Sequence, residues 1–108
     1  MDGSVVQKYP VRATERAQLA PDRLLEIAQA HFESAERDGD RVKTRYGAIS
    51  SLAAWAEGKS LGIDLVMDPK VPEDVARETI RRYNAFLEAA TGYSAKERAR
   101  RMRKSAGE

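Results

Sequence analysis

The chain has 108 residues, 42% apolar and 33% charged, which suits one globular domain and leaves no room for two. It holds no cysteine and a single histidine, which excludes disulfides, thiolate metal centres, cysteine nucleophiles and histidine-rich metal sites. The net charge of +2 is unevenly spread: residues 94–108 hold six bases against two acids (+4), and residues 1–93 hold thirteen against fifteen (−2).

Residues 1–20 read as an extended arm. Met1 to Tyr9 lacks the basic start and apolar stretch of a secretory signal, and no run approaches a membrane span. The expectation is a cytoplasmic protein that makes no contact with membranes. Val5, Val6, Tyr9 and Val11 favour extended backbone, and Pro10 restricts Tyr9 to it.

A first helix opens at Pro21, where a missing N–H loses no partner. Leu24, Leu25, Ile27, Ala28, His31, Phe32 and Ala35 fall on one side at three- and four-residue spacing. Asp38-Gly39-Asp40 then reads as a helix stop followed by a cap, a connection short enough to force an antiparallel hairpin. The second helix is expected from Arg41 to Leu61. Val42, Tyr46, Ile49, Ala53 and Ala56 cluster on one side, while Gly47, Ser50, Ser51, Ala54 and Gly58 make the far side small. Ile63 to Met67 is apolar but too short for a helix before Pro69 and Pro72. It fits a segment laid across the core end equally well as a short strand paired with Val5–Val6.

The third helix has the clearest pattern. Pro72 opens it, Glu73 and Asp74 suit its positive end, and Gly92 ends it. Val75, Ala76, Thr79, Ile80, Tyr83, Phe86, Leu87 and Ala90 form its apolar stripe. Ser94-Ala95-Lys96-Glu97 fits a capping box that starts a short basic helix reaching about Lys104.

The stretch with Gly39-Asp40, Tyr46-Gly47-Ala48-Ile49, Trp55-Ala56, Gly58 and Leu61-Gly62 resembles small archaeal helical-hairpin domains of unknown function. The likeness covers some thirty residues. It implies a hairpin of helices and carries no catalytic residue across to this chain.

Chemistry-bearing groups are sparse. His31 has Ile27, Ala28, Ser34 and Ala35 as helix neighbours, with no carboxylate to orient it, and reads as a boundary histidine held by a hydrogen bond. Glu33 and Glu36 share a side with Arg37, while Asp64 and Asp68 lack the glycine-bearing pattern of a calcium loop. No phosphate-binding or nucleophile-elbow glycine motif occurs. No catalytic residue, cofactor site or metal site is therefore assigned.

Trp55, with Ala48 and Ser51 beside it, marks the expected partner surface, because tryptophan is enriched among interface anchors. The basic segment Lys96, Arg98, Arg100, Arg101, Arg103 and Lys104 offers a second surface, able to meet nucleic-acid phosphates. It lacks aromatics to stack on bases and amides to read them, which argues against sequence-specific recognition.

The sequence thus leads to an all-α fold: an extended arm over residues 1–20, a three-helix bundle over 21–92, and a short basic helix and tail over 93–108. Its expected function is a non-enzymatic interaction module that self-associates or docks onto a larger protein. The alternative is a small nucleic-acid-associated protein working through the C-terminal helix.

Overall fold

The computed structural model describes residues 5–106, with side chains from Val6 to Arg101. Strand β1 (Val5–Pro10) leads through a 3-10 helix (Ala13–Leu19) into helix α1 (Pro21–Phe32). Four strands follow, β2 (Glu36–Asp38), β3 (Arg41–Tyr46), β4 (Ile49–Glu57) and β5 (Ser60–Met67). Helices α2 (Glu73–Thr91) and α3 (Ala95–Ala106) close the chain. The strands form one antiparallel sheet in the order β1-β5-β4-β3-β2.

This overturns the expected all-α helical bundle. The segment expected as one helix from Arg41 to Leu61 is β3, β4 and the start of β5. Its buried residues alternate: Val42 and Thr44 in β3, Leu52 and Ala54 in β4, Leu61 and Ile63 in β5. That period of two belongs to strands with one buried face. Gly47 (φ 51°) and Gly58 (φ 61°) turn the two hairpins in the left-handed region, which costs glycine least. Asp38-Gly39-Asp40 likewise joins two strands, not two helices.

Of the extended arm expected over residues 1–20, Val5–Pro10 is strand β1 and Ala13–Leu19 is a 3-10 helix, while residues 1–4 lie outside the described ones. Val5 pairs with Leu65 and Tyr9 with Leu61, so of the two placements for residues 63–67 the strand is the one adopted. Helix α1 stops at Phe32, short of Ala35. Glu33 takes a positive φ of 72°, and its N–H bonds to the Gln29 carbonyl at 3.1 Å. Helix α2 matches its expected limits, with Pro72 at the N-cap and Gly92 left-handed at the C-cap. The capping box also forms: Ser94 N–H donates to Glu97 Oε1 and Glu97 N–H to Ser94 Oγ, both at 3.3 Å.

The core lies between the sheet and the α1/α2 layer. Phe32 sits 5.2 Å from Phe86 and 6.0 Å from Tyr46, ring centre to ring centre, and Leu24, Leu52, Leu61 and Ile63 surround them, fully buried. At the β3–β4 turn, Thr79 Oγ1 accepts the Ala48 N–H at 2.9 Å, fixing α2 against the sheet.

Helix α3 is attached by one buried cation. The Arg98 guanidinium, 4% exposed, donates to the Tyr93 carbonyl at 2.8 Å and to Asn84 Oδ1 at 3.0 Å, beside the Tyr9 ring. Burial pushes its pKa below the ordinary guanidinium value. Tyr83, next to it, is pushed up by burial and by the Tyr9 hydroxyl 3.2 Å away. Beginning, middle and end of the described chain therefore share one polar knot.

Candidate functional site: the uncovered sheet face

Helices cover one face of the sheet, and among the described residues the other stays uncovered. Strand alternation decides what it presents. Across one row, Lys8 is registered against Gly62, Gly62 against Trp55, and Trp55 against Arg41. In the next row, Val6 meets Asp64, Asp64 meets Ala53, and Ala53 meets Lys43.

Trp55 is therefore on a strand, half-buried in the middle of an exposed sheet. A Cβ at position 62 would collide with its indole, so Gly62 is the seat on which the ring lies. The Arg41 guanidinium stacks over the ring, 4.1 Å from its centre, and the indole N–H donates to Glu57 Oε1 at 2.6 Å. Three neighbours thus hold the tryptophan in one orientation.

Charges of both signs surround it. Cations come from Lys8, Arg41, Lys43 and Arg45; carboxylates come from Glu36, Asp38, Glu57 and Asp64. Lys43 bonds Asp38 at 2.9 Å and holds its carboxyl below the ordinary value. Lys8 reaches Glu57 at 3.9 Å. The face is close to neutral.

Of the three residues expected to form a partner surface, Ser51 and Trp55 share this face and Ala48 does not. Ala48 is 1% exposed at the β3–β4 turn, its N–H spent on Thr79. The helical spacing that put Ala48 beside Trp55 does not exist in a hairpin. Sequence reasoning missed Arg41, Lys43, Arg45 and Gly62; the alternation Arg41-Val42-Lys43-Thr44-Arg45 was the signal available.

The basic helix is partly committed to structure. Arg98 is buried, and Arg101 lies over the Tyr93 ring at 4.4 Å, where Arg12 also sits at 4.7 Å. Lys96 and Arg100 are exposed. The side chains of Arg103 and Lys104 lie outside the described ones.

His31 is half-buried, its Nδ1 2.9 Å from the Ile27 carbonyl and its ring edge-on to Phe86. Asp68 caps the following turn by accepting the Lys70 N–H at 2.9 Å, while Asp64 lies on the uncovered face. Among the described residues no three His, Asp or Glu side chains converge to hold a metal, and no helix is long and apolar enough to cross a membrane.

An antiparallel sheet with helices packed on one face makes this an α+β domain whose distinctive surface is the other sheet face. The chain belongs to the family described as domain of unknown function DUF5611, whose profile it matches over residues 6–104. It is similar to the hypothetical protein TA0095 from Thermoplasma acidophilum, known from an NMR solution structure. The two share 26% identity with a TM-score of 0.65, over 89% of this chain and 96% of that one. No curated protein matches the chain. Family and neighbour agree with the archaeal, unassigned character of the expected resemblance, and the helical hairpin is replaced by the sheet.

Proposed function

We propose that the protein is a non-enzymatic interaction module that self-associates through its uncovered sheet face, with Trp55 as the anchor. The observation that supports this most is the held indole: a large aromatic kept at the surface, seated on Gly62 and oriented by Arg41 and Glu57. Such residues dominate association energies when a partner excludes water from them. The near-equal numbers of cations and carboxylates on the face favour a second copy of this chain over nucleic acid, because a two-fold axis can set one copy's carboxylates against the other's cations.

Size sets the strength. Five strands at roughly 4.8 Å spacing and about 20 Å length give a face on the order of 400 Å². Stable interfaces take about 800 Å² from each partner, so the association is transient and concentration-dependent. We propose the cytoplasm as the module's compartment.

Sedimentation or light scattering over a range up to roughly millimolar concentration tests the reading. Mass should rise with concentration, and Trp55→Ala should return it to the monomer value while the circular dichroism stays unchanged. A strict monomer throughout would refute it. Nucleic-acid binding through α3 is a second reading, supported by the exposed Lys96 and Arg100. Titration with mixed-sequence RNA and DNA at two salt concentrations, for the protein and a Lys96→Ala/Arg100→Ala variant, tests it. Loss of salt-sensitive binding in the variant would favour this reading.

A further inference from the structure

Beside the tryptophan, toward the β3–β4 turn, the sheet carries a depression of about 850 Å³, whose lining includes Arg41, Lys43, Arg45, Ser50, Ser51 and Asp64. That volume lies within the range of small-molecule sites. The hairpin is irregular at this place. Between the pairs Thr44↔Leu52 and Tyr46↔Ile49, one residue of β3, Arg45, stands against two of β4, Ser50 and Ser51. The β4–β5 ladder slips at the same point, between Ile49 and Ser51. A bulge of this kind re-aims side chains and is common beside binding sites.

The local charge differs from the rest of the face. Strand β2 ends its pairing at Glu36, opposite Lys43, so no β2 carboxylate stands across from Arg45. Lys43 is paired with Asp38 and Arg41 is stacked on Trp55. Arg45 is exposed and makes no ion pair among the described residues. One unpaired guanidinium stands opposite two exposed serine hydroxyls, with Lys43 and Arg41 on the same strand behind it and the Glu36 and Asp64 carboxylates elsewhere in the lining. A guanidinium fork and short hydroxyls suit tetrahedral oxyanions, which accept bidentate and single hydrogen bonds at once.

We propose that this bulged depression binds a phosphate group, held by Arg45 with the Ser50 and Ser51 hydroxyls. The carboxylates on its rim, Glu36 and Asp64, disfavour a long polyanion and confine the site to a single phosphate, either free or as the monoester of a small molecule. The site lies on the face proposed to self-associate but does not need that association, so its occupation is read on the Trp55→Ala variant, which leaves Arg45, Ser50 and Ser51 in place.

The test is a titration of that 15N-labelled variant at low ionic strength, with inorganic phosphate in one arm and ribose 5-phosphate in the other, followed by amide shifts. Saturable shifts centred on Arg45, Ser50 and Ser51 are expected, and the tighter of the two arms identifies the source of the phosphate. Arg45→Ala should weaken binding about tenfold or more, and Arg45→Lys should recover part of it, since a lysine keeps the charge but loses the fork. Both variants change an exposed side chain, and an unaltered spectrum elsewhere shows that they fold. Absence of saturation in both arms, or binding unchanged in Arg45→Ala, overturns the proposal. Neither result bears on self-association, which is read from mass.

Discussion

The two faces of the sheet are made by the same five strands, yet they are stabilised by different physics. On the helix side Val42, Leu52, Ala54, Leu61 and Ile63 are all within 2% of complete burial, and two phenylalanines fill the space above them. On the other side Trp55 is held by Arg41 and Glu57, Lys8 pairs with Glu57, and Lys43 pairs with Asp38, all in contact with water. Burial of apolar area is worth far more than exposed ion pairs, so the covered face sets stability and the uncovered face is free to be set by something else. A surface that contributes little to folding can carry an unusual arrangement at little risk.

Pairs of substitutions can break or sharpen that contrast. Leu52→Ala and Trp55→Ala change residues on the same strand that point to opposite faces. Leu52→Ala should cost about 2–5 kcal/mol in urea unfolding, because it leaves a cavity that the packed helices cannot close. Arg98→Ala comes next, at about 1–3 kcal/mol, since it strands Asn84 Oδ1 without its donor and leaves the Tyr93 carbonyl only the Thr91 hydroxyl at 3.4 Å. Its amide exchange should quicken in α3 before it does in the sheet. Trp55→Ala should cost only about 1 kcal/mol, chiefly from the lost contact with Arg41, while abolishing self-association. A loss as large as that of Leu52→Ala would show that the uncovered face is core after all.

The smallest effect is one of pH. Arg82 and Arg81 hold the Glu78 carboxyl below its ordinary 4.5, and Lys43 holds Asp38 below 3.8. Both groups bind protons more weakly in the folded state than in the unfolded one. Their contribution is therefore complete above the ordinary carboxylate range and is lost as pH falls through the lowered values. Urea midpoints should drop on acidification below about pH 4, and less steeply for a Glu78→Gln/Asp38→Asn variant. Equal slopes would place the acid sensitivity elsewhere.

The sequence was legible where elements are bounded by chemistry and opaque where they are bounded by register. Pro72, Gly92 and the Ser94/Glu97 box are local signals that act within a turn of helix, and α2 and the start of α3 follow them. Residues 41–61 carry both periods at once: Val42, Tyr46, Ile49, Ala53 and Ala56 fit a helix, while Val42, Thr44 and Tyr46 alternate. Gly39, Gly47 and Gly58, spaced like hairpin turns, are what separates the two readings. Of the proposed partner surface, Trp55 and Ser51 could be found as residues, but their company could not. The cations beside them come from β3 and the glycine beneath from β5, neighbours that exist only once strands pair.

Strand β1 has a consequence for how the chain acquires its shape. Strands β2 to β5 are joined by tight turns and can zip together one after another. Val5 must wait for Leu65, and Tyr9 for Leu61. During synthesis β1 emerges before the strand it pairs with, so its edge can be satisfied only once β5 is made. Tyr9 meets Tyr83 and Arg98, so the strand with the longest-range pairing also packs against the cation that ties α3 to the fold.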